Sequence, residues 1–152
     1  MTGRIVAFLR EIGLDVEPAD LGDDTFLPGL AVEHGALRYD EARLTYPGDL
    51  LHEAAHLAVA PPDARARMTG DVAVPGLDLA RLEVAAVPWS YAAALHLGID
   101  PAVVFHAGGY RGKSAGLLRT FAAGVYPGVN LLVEAGMTTA EAYPRMLRWL
   151  RG

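Results

Sequence analysis

The sequence His52-Glu53-Ala54-Ala55-His56 combines residue types and a spacing that could hold a metal ion. Residues i and i+4 of an α-helix lie one above the other, so His52 and His56 could offer ring nitrogens to one ion. Glu53 lies about 100° around the helix from His52, because a helix turns once in about 3.6 residues. Its carboxylate could therefore take a proton from water beside the metal without binding the ion. This H-E-x-x-H pattern predicts a metal site that activates water, with Glu53 as the base.

The residues around this motif have the pattern of a buried helix. Pro47 and Asp49 suit a first helical turn, and Pro61 and Pro62 should end the helix. Apolar residues repeat between them at three and four positions, namely Leu50, Leu51, Ala54, Ala55, Leu57 and Ala58. Unpartnered imidazoles would be costly in so apolar a helix. A metal-binding pair is therefore favoured over a solvated helix whose histidines and glutamate lie at the surface.

A catalytic zinc commonly takes three protein ligands and a water, so a third ligand is needed. The chain has no cysteine, which leaves His, Asp and Glu. The candidates are Glu83, His96, His106 and Asp78. We favour Glu83, because it lies among apolar residues of the next predicted helix and its carboxylate should face the interior, where it needs a partner. The alternative is a salt bridge from Glu83 to Arg65, Arg67 or Arg81.

Two motifs together resemble the zincin core of the ImmA/IrrE-type metallopeptidases. Members of that family carry the H-E-x-x-H helix after a hairpin-like segment, and a later helix of the form E-x-x-A-x-x-aromatic-small. The segment YPGDLLHEAAHLAV contains the first motif, and Glu83, Ala86, Trp89 and Ser90 match the second. The resemblance covers residues 29–97.

The resemblance implies a zinc-dependent peptidase. Its zinc ligands would be His52, His56 and Glu83, and Glu53 would be the general base. The implied fold is α+β and mostly helical, with a small sheet or hairpin packed on the H-E-x-x-H helix. The chain departs from the family pattern at Pro88, inside the second helix, and it carries no helix-turn-helix.

Cleavage of a peptide bond also needs a group that stabilises the negative charge developing on the carbonyl oxygen. The candidates are Tyr110, His106, Tyr91 and Arg111. Each also has an ordinary structural interpretation, with Tyr91 as a core aromatic, His106 at a helix end and the other two on a loop surface. Asp49, one turn before His52, could orient the His52 imidazole, although helix capping is the role we expect of it.

Residues 107–114, with the sequence AGGYRGKS, provide a competing motif. They resemble a phosphate-binding loop, G-x-x-x-x-G-K-[ST], in which residues 103–105 would be the strand and Lys113 would reach the phosphates. No later strand supplies an Asp for magnesium, and no βαβ units surround the loop. Nucleotide binding is therefore the minor alternative. We expect a flexible loop that could border the metal cleft, with Ser114 capping the next helix.

The chain before the metal motif predicts one helix and a small sheet. An amphipathic first helix is indicated by apolar residues at helical spacing, which are Ile5, Phe8, Leu9 and Ile12. Residues 29–46 alternate in the manner of a hairpin, with a third strand expected at 43–46.

The chain after the metal motif is predicted to be helical. Asp78 should cap a helix that Gly98 closes, kinked or divided at Pro88. Further helices are expected at 101–106, 115–124 and 139–150, the last one apolar enough to pack on the core or on a second subunit. No linker divides the sequence, so residues 1–152 are expected to form a single zincin-like metal-binding domain.

The composition limits the classes of partner that we expect for this protein. With 13 basic and 18 acidic residues, the net charge is −5, which does not suit nucleic acid. The absence of cysteine excludes a disulfide scaffold and thiol catalysis. No stretch has the features of a signal peptide or a membrane span, so we expect a cytoplasmic protein without a membrane partner. We expect it to bind zinc and cleave a peptide or protein substrate; the alternative is a non-catalytic metal-containing module that binds a partner peptide.

Overall fold

The computed structural model describes residues 1–70 and 74–152. Its elements are α1 (Thr2–Glu11), β1 (Val16–Pro18), β2 (Leu30–Glu33), β3 (Ala36–Tyr39), α2 (Asp49–Val59), α3 (Pro62–Arg65), α4 (Leu79–Leu97), α5 (Ser114–Ala122) and α6 (Val129–Glu134). Two short 3-10 turns, Pro101–Val103 and Tyr110–Gly112, lie between α4 and α5. The α+β class is confirmed, and so is the amphipathic first helix, α1.

The sheet has three strands in the order β1-β3-β2. β2 and β3 form the expected antiparallel hairpin, in which Val32 lies opposite Leu37. Its turn uses His34 and Gly35, both with positive φ, as a tight hairpin turn requires. The third strand is β1, parallel to β3, so the strand predicted at 43–46 is wrong. The chain turns there instead, because the Asp40 carbonyl accepts hydrogen bonds from the amides of Arg43 and Leu44.

Helix α2 packs against α4, α1 and the hairpin strands. The apolar residues that predicted it are all buried. It ends at Val59, and Ala60 is extended before Pro61, as predicted from the two prolines. At its other end, Gly48 touches the backbone of the first 3-10 turn. A Cβ at Gly48 would lie 2.1 Å from the Val103 carbonyl oxygen, so only glycine fits there.

The side chain of Arg65 satisfies carbonyl groups at the end of α2. Its Nε donates to the Leu57 carbonyl at 2.7 Å, and its Nη2 donates to the Ala60 carbonyl at 3.1 Å. Nη2 also donates to the Arg151 carbonyl at 2.7 Å. Arg65 therefore ties the metal-motif helix to the C-terminal segment.

Helix α4 is continuous from Leu79 to Leu97, although Pro88 lies inside it. Asp78 caps its start by accepting from the Arg81 amide at 3.1 Å, and Gly98 ends it with a φ of 67°, as predicted. Pro88 has no N–H to offer the Val84 carbonyl. Gly128 packs there so closely that a Cβ would lie 2.4 Å from the Val84 oxygen.

The helix predicted at 139–150 is wrong, because this segment consists of turns. Pro144 has no N–H for a helical hydrogen bond, which opposes a helix at this point. Trp149 instead packs edge-on against Phe8 and Trp89, with ring centroids 5.1 and 5.5 Å apart. The Trp89 indole N–H donates to the Trp149 carbonyl at 3.0 Å. The apolar pattern therefore covers α1 and α4 without forming a helix.

The segments between α4 and the C-terminal turns agree with prediction only in part. The helix expected at 115–124 is present as α5, but the one expected at 101–106 is reduced to the 3-10 turn Pro101–Val103. Helix α6 was not predicted. Among the described residues, no helix combines the length and the apolarity that crossing a bilayer requires.

Candidate metal centre

Two histidines of α2 face one glutamate of α4. His56 Nε2 lies 2.5 Å from Glu83 Oε2, and His52 Nε2 lies 3.5 Å from Glu83 Oε1. The two imidazole rings are 4.8 Å apart and nearly perpendicular. The structure therefore brings the three predicted ligands together, with both Nε2 atoms directed at the two oxygens of one carboxylate.

Glu53 lies on the other side of His56. Its Oε1 is 3.8 Å from His56 Nδ1, and the residue is only 8% exposed. One ligand atom from each of His52, Glu53 and His56 can be chosen so that all lie within 4.8 Å of one another. Either Glu53 or Glu83 could thus complete a site with the two histidines. Glu83 fits better, because it alone faces the same nitrogen, Nε2, of both rings.

The distances and donor types suit a single zinc ion. Zinc ligands at 2.0–2.2 Å in tetrahedral geometry are about 3.3 Å apart. The 3.5 Å between His52 and Glu83 is close to this value, whereas the 2.5 Å between His56 and Glu83 is a hydrogen bond that an ion would replace. The buried His56 Nδ1 has no hydrogen-bond partner among the described residues. Two imidazoles and a carboxylate are also a typical ligand set of catalytic zinc.

Glu83 is more exposed than the sequence predicts. Its side chain is 51% exposed, so the expectation that it faces the interior is wrong. Leu82 and Ala86 take the buried face of α4, and Glu83 lies at the rim, where it still reaches both histidines. The predicted alternative, a salt bridge to arginine, is wrong as well. Arg65 bonds backbone carbonyls, Arg67 donates to the Asp63 carbonyl, and Arg81 pairs with Glu134.

The other candidate ligands are occupied elsewhere. Asp78 caps α4, and His96 packs between the rings of Phe8 and Trp149 at 5.4 and 5.3 Å. His106 is hydrogen-bonded to Asp49. Of the four candidates, Glu83 is therefore the one that meets the histidine pair.

Tyr110 binds the far side of His52. Its hydroxyl lies 2.8 Å from His52 Nδ1, and the rings meet edge to face at 5.2 Å. When Nδ1–H donates to this hydroxyl, Nε2 keeps its lone pair for a metal. Burial, followed by the nearby charge of Glu83, raises the pKa of Tyr110, so it stays a neutral phenol. The glycine-rich loop thus borders the centre, and Tyr110 orients a histidine in the way that we considered for Asp49.

Asp49 and His106 form a separate pair behind α2. His106 Nε2 lies 2.7 Å from Asp49 Oδ1, and the Tyr46 ring stacks on His106 at 3.7 Å. Asp49 therefore does not orient His52, and its side chain does not cap α2, whose start has no side-chain cap. Burial raises the pKa of Asp49, although the hydrogen bond to His106 opposes this. No local sequence pattern predicts this pair, because its members are 57 residues apart.

The Ser114 side chain links the glycine-rich loop to His106 of the Asp49–His106 pair. Its hydroxyl donates to the His106 carbonyl at 2.6 Å, so the predicted capping of α5 by Ser114 is wrong. The backbone before it is unusual, because Tyr110 and Arg111 have φ values of 56° and 53°. Such values are uncommon outside glycine and occur at functional sites.

The elements around the loop also do not match those of a phosphate-binding loop. The strand expected at 103–105 is wrong, since the residues before the loop form a 3-10 turn.

The remaining candidates for stabilising a transition state differ in position. Tyr91 packs among core aromatics, with the Phe121 ring at 4.9 Å. Arg111 lies close enough to the centre for its charge to contribute to lowering the pKa of Glu83.

Burial and nearby charges shift the pKa values of the four residues of the centre in different directions. Burial, followed by the charge of His56, lowers the pKa of His52 to about 4, so its imidazole is neutral near pH 7. Burial disfavours a charged His56, but the hydrogen bond to Glu83 and the charge of Glu53 outweigh it and raise the pKa of His56. Burial raises the pKa of Glu53. The hydrogen bond from His56 lowers the pKa of Glu83. Glu53 is thus the better proton acceptor and Glu83 the better anionic ligand.

Comparison with known proteins finds no family model, no curated protein and no solved structure that matches this chain. The likeness to the ImmA/IrrE-type metallopeptidases therefore stays a prediction from the two motifs. The functional interpretation depends on the geometry of His52, Glu53, His56 and Glu83.

Proposed function

We propose that this protein is a zinc-dependent hydrolase with a zincin-like core that cleaves peptide bonds. The observation that carries this proposal is that both Nε2 atoms of the histidine pair face the two oxygens of Glu83, while buried Glu53 lies beside them. His52, His56 and Glu83 would hold the ion. Glu53 is left as a base, which a purely structural metal site would not need.

The chemistry follows from these residues. Zinc would supply acidification of water and polarisation of the substrate carbonyl. Glu53 takes one proton from the attacking water, whose oxygen bonds to the carbonyl carbon. The C–N bond then breaks, and Glu53 passes the proton to the leaving amine, which yields a carboxylic acid and an amine. The Tyr110 hydroxyl holds His52 in the required orientation, and Arg111 is the nearby cation that could stabilise the carbonyl oxygen.

Zinc stoichiometry tests the ligand set. Elemental analysis of the purified protein should find one zinc per chain, and His52→Ala, His56→Ala and Glu83→Ala should each lower it strongly. His34→Asn is the matched control, because His34 lies in the hairpin turn at a φ of 48°, which asparagine tolerates. Absence of stoichiometric zinc from the wild type would overturn the proposal.

The Glu53→Gln variant tests the reaction. It should keep zinc and its fold but lose cleavage of a peptide library by about 100-fold or more, the usual contribution of a general base. Circular dichroism and the zinc content serve as controls. Equal cleavage by the variant and the wild type would contradict the role of Glu53, and zinc binding without any cleavage would indicate a non-catalytic module.

A further inference from the structure

A cavity of about 570 Å³ opens beside Glu53. Its walls come from the segment before β2, from β2 itself and from α2, and they include Asp20, Asp24, Phe26, Leu30 and Glu53. Its volume is in the range of small-molecule and side-chain binding sites. Glu53 is more than nine-tenths buried, lines this cavity, and accepts no hydrogen bond from any residue that the structure describes. The cavity therefore connects the proposed base with solvent.

Among the residues that the structure describes, the ionisable ones that line this cavity are all acidic. Asp20 and Asp24 are exposed and Glu53 is buried, and no lysine or arginine of residues 1–70 and 74–152 lines the cavity. Nearby Asp23 pairs with Arg43. Neither Asp20 nor Asp24 forms an ion pair within residues 1–70 and 74–152. Two carboxylates at the mouth are thus available to a ligand cation.

Apolar residues also line the cavity. Leu27, Leu30 and Val32 line it, and Phe26 is 82% exposed beside them. A Lys or Arg side chain has the matching character, because its methylene stem covers apolar surface while its charged end stays near water and carboxylates. A purely apolar side chain would leave the two aspartates without a partner.

We propose that this cavity binds a lysine or arginine side chain of the peptide substrate close to the bond that is cleaved. This inference rests on the proposed function for the reaction but names the substrate class from the cavity itself. The stem packs on Leu27 and Leu30, and the cationic end lies between Asp20 and Asp24. Phe26 contributes a face for cation–π contact.

Cleavage mapping tests the preference. A peptide library is digested and the cleavage sites are identified by mass spectrometry. The wild type should favour sites with Lys or Arg at one position beside the bond, and Asp20→Asn/Asp24→Asn should lower that preference by about fivefold, the combined value expected of two exposed ion pairs. The charge-matched control is Asp63→Asn/Glu141→Gln, since neither residue lines the cavity and both are exposed.

Direct binding keeps the inference separate from activity. Nα-acetyl-arginine amide is titrated into the ¹⁵N-labelled protein, with the uncharged Nα-acetyl-citrulline amide as the matched probe. Chemical-shift changes at the amides of Leu21 and Leu30 should occur with the arginine probe and be weak with the citrulline probe. They should disappear in the Asp20→Asn/Asp24→Asn variant.

The outcomes of the two experiments are distinct. Cleavage without preference for Lys or Arg, or equal shifts with both probes, would overturn the cavity assignment and leave the hydrolase proposal standing. Binding of the arginine probe by a protein that cleaves nothing would support the cavity and overturn the hydrolase.

Discussion

Replacing Tyr110 by phenylalanine should weaken zinc binding without disturbing the fold. The change removes one oxygen, which lies 2.8 Å from His52 Nδ1, and leaves the ring edge-on to the imidazole. A hydrogen bond of this kind contributes about 1.5 kcal/mol at most, which corresponds to about tenfold in a binding constant. Groups that orient metal-binding histidines have at least this effect. We therefore expect the dissociation constant for zinc to rise by about tenfold.

The assay is a competition for zinc against a chromophoric chelator at pH 7. Tyr91→Phe is the control, because Tyr91 is a buried tyrosine whose hydroxyl forms no hydrogen bond with a described residue. It should bind zinc like the wild type. If Tyr110→Phe also binds zinc with wild-type affinity while its circular dichroism is unchanged, Tyr110 does not orient His52, and the role assigned to it is wrong.

Three further predictions concern stability. Arg65→Met should lower the free energy of unfolding in urea by about 2–3 kcal/mol, because four carbonyl partners are lost, whereas Arg67→Met should change it little. Gly48→Ala should cost about 1–3 kcal/mol by overpacking, while Gly3→Ala, with open space in α1, should gain up to about 1 kcal/mol. The pKa of His52 falls from 6.5 to about 4 on folding, so the unfolded chain binds more protons between these values. The metal-free protein should therefore lose thermal stability as the pH falls from 6.5 to 4, and His52→Gln should reduce this loss; an identical pH profile would contradict the shift.

The part of the centre that could be predicted from sequence lies within short stretches of chain. The apolar spacing around His52 and His56 predicts a buried helix, and the helix alone brings the two imidazoles together. The hairpin and the capping of α4 by Asp78 are equally local. Local patterns of this kind need only the geometry of one helix or one turn.

The parts that could not be predicted depend on contacts between distant residues. The pairing of Val16 with Leu37 and the bond between Asp49 and His106 join segments that no local pattern links. The apolar residues at 139–150 have helical spacing, but they serve to cover Trp89. From the sequence, Tyr110 was a candidate for stabilising the carbonyl oxygen. Its contact with His52 could not be predicted, because this contact depends on the left-handed backbone of its loop.

The close fit of Gly48 against Val103 provides a criterion for finding related chains. The Cβ atom of any larger residue would lie 2.1 Å from the Val103 carbonyl oxygen, so a chain that builds this centre in the same way must begin its H-E-x-x-H helix after glycine. The next residue, Asp49, is bound to His106, four positions before Tyr110. A search for Gly-Asp-x-x-His-Glu-x-x-His followed by a distant His-x-x-x-Tyr would therefore select relatives by residues that touch one another. It would separate them from chains that share the H-E-x-x-H motif alone.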